Sequence, residues 1–318
     1  MSTQQYPPQD AAPMGAPAAP PAQAPAGAPG APGVPGAGYS SPIPVTRTHI
    51  GHAIASEWTK IRSVRSTMWT LSLMFVLTLG IGLATAAGLS TQDYTGMPLL
   101  SSGLFGLMLG QLCVITLGVL VITSEYGTGM VRTTLTACPQ RGRVLLAKAL
   151  IFFALAFVMT TVACTLTAMI NSALLSDQDV PSYARTGDLA DSIEGGKLVA
   201  DGGEWLGATV GAGLYVALLG LLSLAVGALL RHSAGAITTM MGVVLLPLVM
   251  ALFMVGEAMK TVREKLMEYS PLNGLATLYR IPMEGDQDAT GWPLLGLLAI
   301  VTAVALGVAF ALLNKRDV

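Results

Sequence analysis

The sequence predicts an all-α polytopic membrane protein, six transmembrane helices preceded by an interfacial amphipathic helix, and three observations carry that prediction. The first is six apolar stretches: Met68–Leu89, Leu99–Thr123, Val144–Leu175, Trp205–Leu230, Ile237–Val255 and Trp292–Leu313. Each approaches or exceeds the ~20 residues a helix needs to cross a hydrocarbon core. Backbone groups in lipid must pair within their own segment, so these stretches are helices. The second is composition: 53% of residues are hydrophobic and 11% charged, against roughly 25% charged in soluble domains. The third is the way charge sorts between alternate loops.

The chain opens with a tail, residues 1–49, in which Pro7–Pro44 is nearly all Pro, Ala and Gly. Such a segment cannot bury enough apolar surface to fold and reads as an extended, partly polyproline-II tail. It is either passive or a docking site for a proline-reading module. It lacks the charged and apolar regions of a signal peptide.

Residues 50–67, IGHAIASEWTKIRSVRST, carry apolar residues at Ile54, Trp58, Ile61, Val64 and Met68, spaced 4, 3, 3 and 4 along one helix face. Lys60 and Arg62 fall towards the other side, with Glu57 and Arg65 on the flanks. Trp58 among apolar residues, with Lys60, Arg62 and Arg65 as cationic anchors, suits a helix lying in the membrane interface. The alternative is a plain extension of span one.

The domain from 68 to 318 holds the six spans. Span two contains the GxxxG pair Gly106/Gly110, and span four repeats it at Gly207/Gly211; such pairs permit close helix packing but also arise by chance in Gly-rich spans. After span two the sequence turns polar, basic and broken by Gly and Pro over 124–143. A short helix is expected at about Thr128–Ala137, stopped by Pro139. This is either a compact element that receives a push from a partner or an ordinary basic loop. Asp177–Glu204 reads as an irregular acidic loop, and span five carries Pro247. Glu257–Tyr269 is amphipathic, Tyr269–Gly274 breaks that helix, and Leu275–Ile281 is expected to dip back as a short helix.

If the N-terminus is cytoplasmic, one side collects Arg47, Lys60, Arg62, Arg65, Arg132, Arg141, Arg143, Lys148, Arg231, Lys315 and Arg316 with few acids, while the other collects most of the carboxylates. The positive-inside rule then places both termini, and the loops after spans two and four, in the cytoplasm of a cell (plasma) membrane protein. A net charge of −1 argues against a nucleic-acid partner.

Several chemistries have no motif here. GxxxxGK[ST], HExxH, CxxC and GxSxG are missing from the sequence, which disfavours nucleotide binding through a P-loop and the familiar zinc, redox and serine-hydrolase activities. No catalytic, cofactor-binding or metal-binding residue is assigned. Cys113 and Cys164 read as small buried hydrophobes, and His49, His52 and His232 as boundary residues. Span interiors offer only Gln111, Asn171 and scattered Ser and Thr, with Glu125 at the end of span two. Ion-coupled transport normally needs ionisable groups at membrane depth, so any transport energy is expected from another subunit.

SEWTKIRSVRST before span one, EYGTGMVRTTLTACPQRGRVLLAK after span two and the terminal LLNKRDV resemble actinobacterial permease subunits of ABC-2 type transporters. The similarity covers about Ile50 to Val318. It implies a homodimer, or a pair with a homologous permease, assembled in the lipid bilayer with separate ABC ATP-binding subunits. Those subunits bind ATP and Mg, so the chain itself is not expected to be an enzyme. The resemblance makes 50–67 a connecting helix and puts a coupling helix within 124–143, with Glu125, Tyr126, Thr128, Arg132, Arg141 and Arg143 as its contacts to the ATPase. The implied activity is export of an amphiphilic or lipid-like small molecule or peptide. The alternative is a scaffold or sensor subunit of similar build that transports nothing.

Overall fold

The computed structural model describes residues 49–94, 96–130, 141–182, 192–284 and 290–315. Six of its helices are long and apolar enough to cross a membrane: α2 (Arg65–Ser90), α3 (Gly103–Gly127), α4 (Arg141–Leu175), α5 (Gly202–Leu230), α6 (Ser233–Phe253) and α9 (Trp292–Lys315). They alternate in direction, so the loops fall at two ends of one bundle. One end holds α1 (Ile50–Ser63), the C-termini of α3 and α5 and the N-terminus of α4.

α1 and α2 are separated at Val64, whose extended backbone (φ −82°, ψ 109°) ends one helix and starts the next. The amphipathic segment is therefore a helix distinct from span one, though it ends at Ser63 rather than Thr67. Its orientation corrects the sequence reading. Glu57, expected on the flank, is 2% exposed and faces the bundle, while Trp58, expected on the apolar side of an interfacial helix, is 47% exposed on the outer surface.

α3 and α5 form the centre of the bundle, and α2, α4, α6 and α9 pack around them with large apolar side chains such as Val76, Leu246 and Ile300 turned outward. A soluble protein would hide that surface; a lipid-facing one needs it. Small residues set the helix spacing. A Cβ at Gly106 would overlap the Thr78 backbone of α2, and one at Gly110 would meet the Thr78 hydroxyl. The GxxxG pair of α3 is thus a contact inside the chain. α3 and α5 cross where Gly118 meets the carbonyl of Gly220. Gly207 and Gly211 instead bound a π-helical turn within α5, against Leu278.

The far end departs from expectation in two places. The acidic loop contains an antiparallel hairpin, β1 (Ile193–Glu194) with β2 (Lys197–Leu198). Gly195 and Gly196 turn it with φ of 61° and 86°, the left-handed pair a two-residue hairpin requires. Leu198 and Val180 are buried beneath it. Second, the returning helix is α8 (Pro271–Leu278), which begins earlier than Leu275. Ser270 breaks α7 (Glu257–Glu268) but caps α8: its hydroxyl accepts from Asn273 N at 3.1 Å, and Pro271 occupies the first turn. Capping serine followed by proline is a start signal as much as a stop. Asn273 then ties the turn together, accepting from Met283 N at 2.7 Å and donating to the carbonyls of Glu268 and Glu284 at 3.0 and 3.2 Å.

Candidate functional site

Four charged side chains meet at the α1 end of the bundle. Glu57 and Lys60 come from successive turns of α1, Glu125 from the last turn of α3 and Lys148 from the second turn beyond Arg141 in α4. The Lys60 ammonium donates to Glu57 Oε1 at 3.1 Å and to Glu125 Oε1 at 2.6 Å. Lys148 donates to Glu57 Oε2 at 2.7 Å and to Glu125 Oε1 at 2.8 Å. Each cation touches both anions and each anion both cations, so the four close into a neutral ring.

Burial makes the pairing obligatory. The Glu57 and Lys148 side chains are 3% exposed, Glu125 11% and Lys60 33%. An unpaired charge in such a place costs several kcal/mol, by order of magnitude; two opposite pairs in mutual contact avoid that cost. Burial works against the Lys60 ammonium, but the Glu125 hydrogen bond and the charges of Glu57 and Glu125 outweigh it and hold its pKa above the ordinary 10.5.

Beside the ring lies a cavity of about 360 Å³ between α1 and the adjoining ends of α2 and α3. Its walls are mainly apolar, with Ile61, Val64, Leu117, Leu120 and Val121 prominent, and Lys60, Glu125 and Lys148 stand at its polar end. That volume lies at the lower end of the range for small-molecule sites.

The structure treats the residues singled out from sequence unevenly. Glu125 and Lys60 are drawn together in the ring, Lys60 turned inward and away from the exposed Arg62 and Arg65. The Tyr126 ring lies under the Arg231 guanidinium, 5.3 Å from its centroid, which links the ends of α3 and α5. Thr128 follows α3, its hydroxyl donating to the Ser124 carbonyl at 2.9 Å, and reaches the cavity wall. Arg143 and Trp58 are exposed. Arg132, the side chain of Arg141 and the helix expected at Thr128–Ala137 lie outside the described residues, apart from the turn as far as Met130. His232 caps α6, its Nδ1 accepting from Gly235 N at 2.9 Å.

Sequence reasoning missed Glu57 and Lys148 as site residues. Lys148 corrects the statement that span interiors hold no charge, since α4 buries it to 2% exposure. The available signal was an isolated cation within the apolar run VLLAKALIFF and an isolated acid between Ile54 and Ile61. Two lone opposite charges on apolar faces are expected to find each other.

Fold and site together define a multi-pass membrane protein in which buried charge ties the interfacial helix α1 to the ends of spans α3 and α4. No protein-family model matches the chain, and no curated protein matches it.

Proposed function

We propose that this chain is the membrane-spanning permease subunit of an ATP-binding-cassette exporter, with both termini cytoplasmic and a separate ATPase bound beneath the α1 end. The observation that carries the reading is the ring. The segment 124–143, where the resemblance puts the coupling helix, begins in the last turn of α3 and ends in the first turn of α4. Glu125 and Lys148 join its two roots to each other and to α1. A displacement of that segment would thus be passed to three helices together.

In this reading Glu125 acts from within, through the ring, while exposed Thr128 and Arg143 flank the surface offered to the ATPase. Closure of the ATPase dimer, binding ATP and Mg, biases the permease between inward- and outward-facing states through differential contacts. Lipid-facing helices with few interior charges suit an amphiphilic or lipid-like cargo.

The test is a mild-detergent pull-down of the tagged chain from its native host, with mass spectrometry and an ATPase assay. Recovery of a Walker-type ATPase at about one per chain with vanadate-sensitive turnover is the expected result. A preparation without any ATPase, also after cross-linking before lysis, rejects the proposal in favour of a non-transporting scaffold.

A further inference from the structure

The cavity beside the ring has its own chemical signature, which the permease reading does not use. A lysine ammonium has three N–H donors. Lys60 spends two on Glu57 and Glu125, and Lys148 spends two on the same carboxylates. Each retains one. Both lysines donate to Oε1 of Glu125, and among the described residues its Oε2 receives no hydrogen bond. All three residues stand in the cavity wall. The polar end therefore offers spare N–H donors and one spare carboxylate oxygen, while Ile61, Val64, Leu117, Leu120 and Val121 form an aliphatic wall, with the hydroxyls of Ser66, Thr67, Thr70, Ser124 and Thr128 also in the lining.

The complement of that surface is a molecule with an anionic oxygen, a cationic N–H donor a few atoms away and an apolar tail. A purely anionic head would leave Glu125 Oε2 facing like charge. A quaternary ammonium would meet it without a hydrogen to donate. The cavity is walled by α1 and by Ser66, Thr67 and Thr70 in the first turns of α2, and the neighbouring Met68, Trp69 and Leu73 are exposed on the outer side of that helix. A membrane lipid can enter there without crossing water.

We propose that this cavity binds one membrane lipid bearing a primary-ammonium zwitterionic headgroup, of the phosphoethanolamine class. Its phosphate lies towards Lys60 and Lys148, its ammonium towards Glu125 Oε2, and an acyl chain lies along Ile61, Leu117, Leu120 and Val121. The inference rests on the membrane-spanning fold and needs no ATPase, so its failure would leave the permease reading standing, and the reverse holds too.

The experiment is native mass spectrometry of the full chain released from nanodiscs containing equal amounts of phosphatidylethanolamine, phosphatidylcholine and phosphatidylglycerol with identical acyl chains. One phosphatidylethanolamine per chain should survive activation, at least tenfold above either competitor. Val121→Trp, which fills the cavity, should abolish retention, and Lys60→Met should reduce the headgroup preference to threefold or less. Leu246→Trp, an added indole on the outer face of α6, should retain the lipid as the parent does. Thr70→Leu, a smaller intrusion from the α2 wall, replaces Val121→Trp should that variant not fold. Equal retention of the three lipids, preference for phosphatidylglycerol, or undiminished retention in both cavity variants would overturn the proposal and leave annular lipid only.

Discussion

Replacing Lys148 by Met isolates the role of the ring. The side chain is 3% exposed and makes two short contacts, 2.7 Å to Glu57 and 2.8 Å to Glu125. Methionine keeps the aliphatic volume and removes the charge, so two buried carboxylates are left to share the single ammonium of Lys60. Removing one partner of a buried ion pair costs about 3–5 kcal/mol, chiefly as the penalty on the charge left behind. The same logic makes the loss recoverable. In the double variant Lys148→Met/Glu57→Gln the net charge returns to zero and the Lys60–Glu125 contact at 2.6 Å remains. At least half of the lost stability should return, a coupling of roughly 2 kcal/mol by the double-mutant logic. Reversible unfolding in mixed micelles, followed by tryptophan fluorescence, measures both variants against the parent and Glu57→Gln alone. A single variant within 1 kcal/mol of the parent (roughly the value of an exposed pair), or a double variant no more stable than Lys148→Met, would refute the argument.

Four further outcomes are expected. Lys60 has a folded pKa above its ordinary value of 10.5, so its stabilising contribution is complete below that pH and lost as pH rises through the folded pKa. The stability difference between parent and Lys60→Met should accordingly stay flat from neutral pH to about 10 and shrink above it. Gly220→Val should abolish a monodisperse peak in fluorescence-detected chromatography, because the new side chain enters Val114 and Phe152, whereas Gly242→Val, with open space around it, should leave the peak intact. Asn273→Ala removes the acceptor of Met283 N and two donors in a buried turn; about 1–3 kcal/mol should be lost in the same micelle assay. Cysteines at exposed Ser182 and Ser56 should label from opposite sides of the membrane, with Ser182 reached from outside intact cells; labelling from the same side would overturn the alternating topology.

Spans are legible because lipid imposes a length and a hydropathy that packing cannot override. The helix starting at Trp292 and the one ending at Leu230 fall where the apolar runs start and stop. The two short elements were legible in principle. Glu194-Gly195-Gly196-Lys197 is a two-residue hairpin signal, hidden among loop-like residues. Ser270-Pro271 reads as a breaker until the helix it begins is considered. The ring was harder. Glu57 and Trp58 are consecutive and stand about 100° apart around the helix, so turning one inward turns the other away. An isolated amphipathic helix buries the indole. A helix packed against lipid on one side and a lone lysine on the other leaves Trp58 out and takes Glu57 in. That choice depends on α4, 91 residues further along the chain, which no local pattern encodes.

The positions of the four charges also bear on how the protein is made. Glu57, Lys60, Glu125 and Lys148 all precede the hairpin and α5 in chain order. The ring can close once the start of α4 has left the ribosome, while the most enclosed helix, α5, is still to come. Insertion can then proceed with three helices already fastened at one end, and α5 arrives at a prepared groove whose floor is Gly118. A lone Lys148 entering the bilayer also finds its two counter-charges already synthesised. The order in which the residues are written spares the nascent chain a stage in which that cation has no partner.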